Sequence, residues 1–101
     1  MNSLTVHIGM LVFPDMLQMD CTGPYGVFAA VPGAAADLVW KDTAPVLSSD
    51  KLLFTPSISF FDCPPLDIVR VPGGGGILLL LDDMVVHDFL RKQAQSARWL
   101  A

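Results

Sequence analysis

Asp20 and the run of four glycines at 73–76 are the residues of this chain whose types and placement suit chemistry. Asp20 stands among Met16, Met19 and Val27. Met16, Asp20, Gly23, Val27 and Val31 recur at steps of three and four, which counts the acid into one stripe of a helix. A carboxyl buried there without a partner is costly as an ion and would keep its proton. It would then be a donor able to hold a thiolate or pass a proton. The other reading is an exposed acid in the first turn of a helix, favoured by the helix dipole. Spacing leaves both open. Residues 66–76 read Leu-Asp-Ile-Val-Arg-Val-Pro-Gly-Gly-Gly-Gly, a β-branched strand stopped by Pro72 and the glycines. Such a turn leaves backbone N–H groups uncovered, and the helix that follows begins with unpaired donors. Developing negative charge could be held at that strand end.

The glycine run is not a nucleotide motif. Leu78 stands where the dinucleotide fingerprint needs its last glycine, and Ile77 where a phosphate loop needs lysine. A glycine turn alone is more often steric than functional. Other candidates are weaker. Asp83 and His87 are four apart, but two ligands are too few for a metal, and Asp88, Arg91 and Lys92 mark a solvated face. No metal site is expected. His7, inside a strand, reads as a packed side chain. Cys21 points off the stripe that holds Asp20. Cys63, beside Pro64 and Pro65, reads as inert. Neither cysteine has metal spacing, and both read as reduced thiols of a cytoplasmic protein.

Strands and helices alternate in the elements that must position these groups. Residues 5–13 form a strand apolar on both faces, suited to the centre of a covered parallel sheet, and Pro14-Asp15 ends it. A helix covers 16–31. At Gly23-Pro24 it either kinks, or stops and restarts with Thr22 as cap; both keep Asp20 near the end of the first strand. Residues 36–40 form a second strand, 41–45 a polar turn and 46–48 a small strand. Residues 52–60, with Pro56 inside, suit an edge hairpin, and 61–65 a loop. Beyond the glycines come a helical piece at 77–81 and a helix at 82–97, capped by Asp82 and striped by Val85, Val86, Phe89 and Leu90. Residues 98–101 start another apolar strand.

The 101 residues allow one small domain. With 52% hydrophobic residues the chain is not disordered, and no apolar run reaches the ~18 residues of a membrane span. Its N-terminus lacks the basic region of a signal peptide. A net charge of −4 without any Lys/Arg cluster excludes nucleic-acid binding by this segment.

Phe13-Pro14, Gln18-Met19-Asp20-Cys21-Thr22-Gly23-Pro24-Tyr25 with Val27-Phe28, Asp62-Cys63-Pro64-Pro65-Leu66-Asp67 and Val71-Pro72-Gly73-Gly74 together resemble the ThiJ/PfpI superfamily, over essentially the whole chain. The resemblance implies a flavodoxin-like, doubly wound α/β fold with a mostly parallel sheet, here incomplete at its C-terminus, and a homodimer when complete. It implies a cysteine nucleophile on a strand-to-helix elbow within a Ser-Val-Cys-Thr-Gly segment. Residues 1–101 are thus expected to be the N-terminal part of a single domain, ending before that elbow. Asp20 matches the acid that partners the thiolate. Gly74 matches the turn glycine whose N–H faces the reacting centre, with Gly73 beside it. Cys21 stands where the family commonly has an aliphatic residue. The implied reaction is hydration of a small isonitrile to an N-substituted formamide, without metal or organic cofactor, and not by this segment alone. The alternative is the ligand-sensing N-terminal domain of an AraC-type transcription regulator, which shares the Asp-x-x-Gly-Pro stretch. Half of such a sheet would expose apolar surface and dissolve poorly.

Overall fold

The computed structural model describes residues 6–95, 97 and 99–100. Five strands form one parallel sheet in the order β5-β2-β1-β6-β7. β1 (Val6–Leu11) is central, between β2 (Ala34–Trp40) and β6 (Ile68–Arg70). Its last four residues, all but the small Gly9, carry the apolar bulk that both covered faces of a parallel sheet need; Ile8, Met10 and Leu11 are each at most 3% exposed. β5 (Ile58–Ser59) is one edge and β7 (Trp99–Leu100) the other. Of the residues expected to start a further strand, Trp99 and Leu100 do so, paired in parallel with β6, while Arg98 and Ala101 lie outside the described residues. His7, expected to be packed, is exposed. Its backbone exchanges two hydrogen bonds with Asp67, at the opposite end of the sheet from the glycine turn.

The region expected as one edge hairpin divides. β3 (Val46–Leu47) and β4 (Leu53–Phe54) form a separate antiparallel pair, while β5 joins the main sheet beside β2. Pro56 lies between them, where no ladder bond is lost. Ser48 is 1% exposed and closes the hairpin: its hydroxyl donates to Asp50 and accepts from the amide of Leu52.

α1 (Gln18–Ala30) is one helix, running through Gly23-Pro24 without the restart that Thr22 would have capped. The Thr22 hydroxyl instead donates to the carbonyl of Gln18, one turn back. The inward face also differs from the expected stripe. Cys21 is buried, and Tyr25 and Phe28 pack on the core, whereas Met19 is 69% and Val27 65% exposed. Apolar residues occur all round this helix, so spacing alone cannot select the buried face.

α2 (Ile77–Leu81) follows the glycines, and α3 (Met84–Ala94) packs Phe89 with Val39, Leu66 and Val69. An aromatic row crosses the strand ends: Phe13 against Trp40, Trp40 edge-on to Phe60, and Phe60 stacked on Phe89 with centroids 4.1 Å apart. Gln93, 6% exposed, anchors the loop before β6, accepting from the amide of Leu66 and donating to the carbonyl of Pro64.

The cap of α3 is Asp83, one residue beyond the expected Asp82. Its carboxylate accepts from the amides of Val85 and Val86, and the Lys41 ammonium pairs with it. That ammonium, with the two amides, holds the Asp83 carboxyl below the usual carboxylate range. A carboxyl whose folded value is depressed stabilises the fold above its unfolded value and loses that contribution as pH falls through the folded one. Asp83→Asn, which can still cap but not pair with Lys41, should therefore flatten the acid limb of stability below about pH 4. Asp83→Ala should also lose the cap, about 1 kcal/mol. Chemical denaturation followed by circular dichroism between pH 7 and pH 2 checks both.

Candidate functional site

The strand order reverses direction between β1 and β6. From β1 the chain moves to β2 on one side, and from β6 to β7 on the other. In open α/β sheets the crevice at the carboxyl ends of such a pair is where ligands bind. Asp20 and the glycine turn both reach this crevice.

Beyond β1 the buried Val12 and Phe13 lead into Pro14 and Asp15, whose φ of 63° is the left-handed turn conformation an aspartate tolerates. Met16, fully buried, then forms an isolated antiparallel bridge with Gly74. The amide of Leu17 donates to Gly73 O at 2.8 Å, and that of Gly76 to Asp15 O at 3.2 Å. On the other side of the same turn, the amide of Asp15 donates to Leu47 O and that of Ser49 to Met16 O, both at 2.9 Å. The β1–α1 turn is thus clamped between the glycine turn and the β3–β4 hairpin.

The clamp explains two of the glycines. Gly74 has φ +124°, and a Cβ there would lie 2.4 Å from the amide nitrogen of Leu17. A Cβ on Gly76 would lie 2.0 Å from the carbonyl oxygen of Pro14. Both clashes are with backbone, so no rotamer relieves them.

α1 starts at Gln18 and sets Asp20 in its first turn. The side chain does not cap its own helix. Its Oδ2 accepts from the amide of Gly73 at 3.1 Å, 53 residues away in sequence. The carboxylate is half-buried and partnered, which neither sequence reading of Asp20 described: it is neither lost in the core nor free on the surface. Next to it the amide of Gly74 has no acceptor among the described residues. The site therefore presents a positioned carboxylate and a free backbone donor side by side. That pair suits holding or moving a proton on a group that becomes anionic nearby.

The cysteines do not complete it. Cys21, expected to point away from the core, is 1% exposed beneath α1, and burial pushes its thiol up to about 11. Cys63 is likewise pushed up to about 11, by burial and then by the charge of Asp37. Thiols held protonated are poor nucleophiles. The Asp83–His87 pair is not assembled either: Asp83 serves Lys41 and the α3 amides, and His87 Nε2 meets Leu81 O at 2.6 Å. Among the described residues no three His, Cys, Asp or Glu side chains group as metal ligands. Nor is any of their helices long and apolar enough to cross a membrane.

Sequence reading missed the β3–β4 hairpin as the outer support of the site and Met16 as the link between the two turns. Pro14-Asp15 was the available signal, since a turn at a strand's carboxyl end is where a site is built in this class of sheet.

No family model matches the chain. Isonitrile hydratase of Pseudomonas putida is 46% identical over 97 residues, covering 96% of this chain and 42% of that protein. A ThiJ/PfpI family protein from Pseudomonas syringae superposes with a TM-score of 0.91 at 33% identity, over 95% of this chain and 40% of its own. A DJ-1 superfamily protein from Salmonella typhimurium shares the fold at a TM-score of 0.85 and 13% identity, covering 95% of this chain and 54% of its own. The chain spans about two-fifths of the length of the first two. Over that span, its sequence is similar to that of isonitrile hydratase, and its flavodoxin-like α/β fold is the one seen in the ThiJ/PfpI family protein.

Proposed function

We propose that this chain is the N-terminal part of a cysteine-dependent isonitrile hydratase, with Asp20 as the acid and the Gly73–Gly74 turn as its amide support. The observation that carries the reading is the hydrogen bond from the Gly73 amide to the Asp20 carboxylate, beside the unpaired Gly74 N–H. Similarity to an enzyme of that name supports it and favours it over a regulator's sensor domain.

The chemistry follows from the groups. A thiolate adds to the terminal carbon of R–N≡C while a proton is delivered, giving a thioimidate, R–N=CH–S. Water then adds to that carbon, the thiol leaves, and R–NH–CHO is released. Asp20 is placed to carry the proton, and the Gly74 N–H to meet the charge that develops as sulfur attacks. Neither Cys21 nor Cys63 supplies the sulfur, because burial holds both as thiols. The nucleophile is therefore assigned to a strand-to-helix elbow outside these residues. The chain alone is inactive, and the full protein is a cytoplasmic homodimer acting on a small molecule, with no metal, cofactor or nucleic acid involved.

Two measurements test this. Incubated with an alkyl isonitrile, the 101-residue chain should form no formamide above background by NMR, and turnover would overturn the assignment of the nucleophile. In the full-length protein, Asp20→Ala should lower kcat at least ~100-fold, and Asp20→Glu should recover part of it. Undiminished turnover in Asp20→Ala removes the acid from the mechanism. A basic helix-turn-helix region in the remainder of the gene, in place of a cysteine elbow, would replace the enzyme by the regulator.

A further inference from the structure

Ser48 is 1% exposed, on a hairpin that stands apart from the main sheet. Each of its polar atoms is used inside its own loop. Its amide donates to Leu52 O at 2.9 Å, and its carbonyl accepts from the Lys51 amide at 3.0 Å. Its hydroxyl donates to the Asp50 carboxylate at 2.6 Å and accepts from the Leu52 amide at 3.1 Å. Lys51 takes a left-handed φ of 70° in this loop. A conformation of that kind persists where its surroundings over-determine it. The residues on either side of Ser48 serve the neighbouring turn instead. Leu47 O accepts from the Asp15 amide, and the Ser49 amide donates to Met16 O. Among the described residues these are the backbone hydrogen bonds that the hairpin makes outside itself.

We propose that Ser48 is a positioning residue for Asp20. Its hydroxyl holds the 48–52 loop in the shape that sets Leu47 O and Ser49 N against the turn at 14–17, and that turn sets the carboxylate against the Gly73 amide. The path is short and continuous. Leu47 and Ser49 grip Asp15 and Met16; Met16 bridges Gly74, and the next amide, of Leu17, donates to Gly73 O. In the first turn of α1, Asp20 then accepts from the Gly73 amide at 3.1 Å. A hairpin that only shielded the core would need apolar side chains, and Val46 and Phe54 supply them. It would have no need of a buried hydroxyl, which costs free energy unless its hydrogen bonds are met. Alanine at 48 removes the acceptor of the Leu52 amide and frees Asp50. Shifts of about 1 Å in a catalytic group, even from changes far from it, cost up to ~100-fold in rate. The role given to Asp20 rests on the hydratase reading; the hydrogen-bond path does not.

Two readouts in the full-length protein test it. With an alkyl isonitrile, Ser48→Ala should lower kcat ~10-fold and leave KM within about 2-fold, since a displaced acid weakens the transition state and not the encounter. Asp50→Ala, at an exposed position, should share the defect, and Asp50→Asn, which still accepts from the hydroxyl, should recover most of it. The second readout needs no turnover. In NMR spectra of protein labelled with 15N-glycine, the Gly73 amide is identified by its loss in Gly73→Ala. In Ser48→Ala and Asp50→Ala its proton should move part of the way to its position in Asp20→Ala. A Gly73 amide that stays in place in both variants, whatever happens to their melting temperature or rate, overturns the proposal and leaves Ser48 a hairpin residue alone. So does an amide that moves while kcat does not. If the parent protein shows no hydratase activity, the hydratase reading fails, and the amide shift by itself decides whether Ser48 positions Asp20.

Discussion

The amide of Gly73 and the carboxylate of Asp20 make a side-chain-to-backbone contact that ties the first crossover of this fold to the second. Asp20 arrives from β1 through a turn and the first turn of α1; Gly73 arrives from β6 through Pro72. A half-buried carboxylate without a donor is expensive, and a backbone amide at the end of a strand has no ladder partner, so each answers the other's cost. The closeness depends on glycine, since a Cβ at position 73 would lie 3.0 Å from the Asp20 oxygen.

What holds that contact in place is main chain rather than side chain. The turn at 14–17 gives and takes backbone hydrogen bonds on two sides, to the glycine turn and to the β3–β4 hairpin. Two unusual conformations, Asp15 at φ 63° and Gly74 at φ +124°, are needed to make those bonds. Conformations of this kind cost about 1–3 kcal/mol for a residue with a side chain, and they persist where the surroundings over-determine them. Here the complete burial of Met16 and Phe13, each worth about 1.5–3 kcal/mol, is large enough to offset that cost. The result is a rigid support for one carboxylate and one free amide, built at the reversal of strand order.

The two long helices show where sequence reading holds and where it slips. In α3 three residues of the expected stripe, Val86, Phe89 and half-buried Leu90, face inward as their spacing predicts; Val85 is exposed, and the cap moves one residue to Asp83. Two adjacent aspartates offered the same capping chemistry. Lys41, from the end of β2, meets the second of them. In α1 the spacing pointed to the wrong side. Met19, Val27 and Val31 are as apolar as Tyr25 and Phe28, so no stripe stands out, and the sheet chose Cys21, Tyr25 and Phe28. Pro24 did not break the helix either, because local propensity yields when tertiary packing supports the turn.

By itself the sequence determined the class of fold, the central place of β1 and the turn at Pro72, and it marked Asp20 and the glycines as candidates for a site. These rest on local rules: β-branched runs make strands, Pro and Gly end them, and strands alternating with helices give a parallel sheet. Only the tertiary structure decided which face of α1 is buried, that the residues of the 46–59 region divide between a hairpin and a sheet edge, and that Asp20 is neither sunk nor free but bonded to Gly73. Those outcomes depend on partners tens of residues away, which no local pattern encodes.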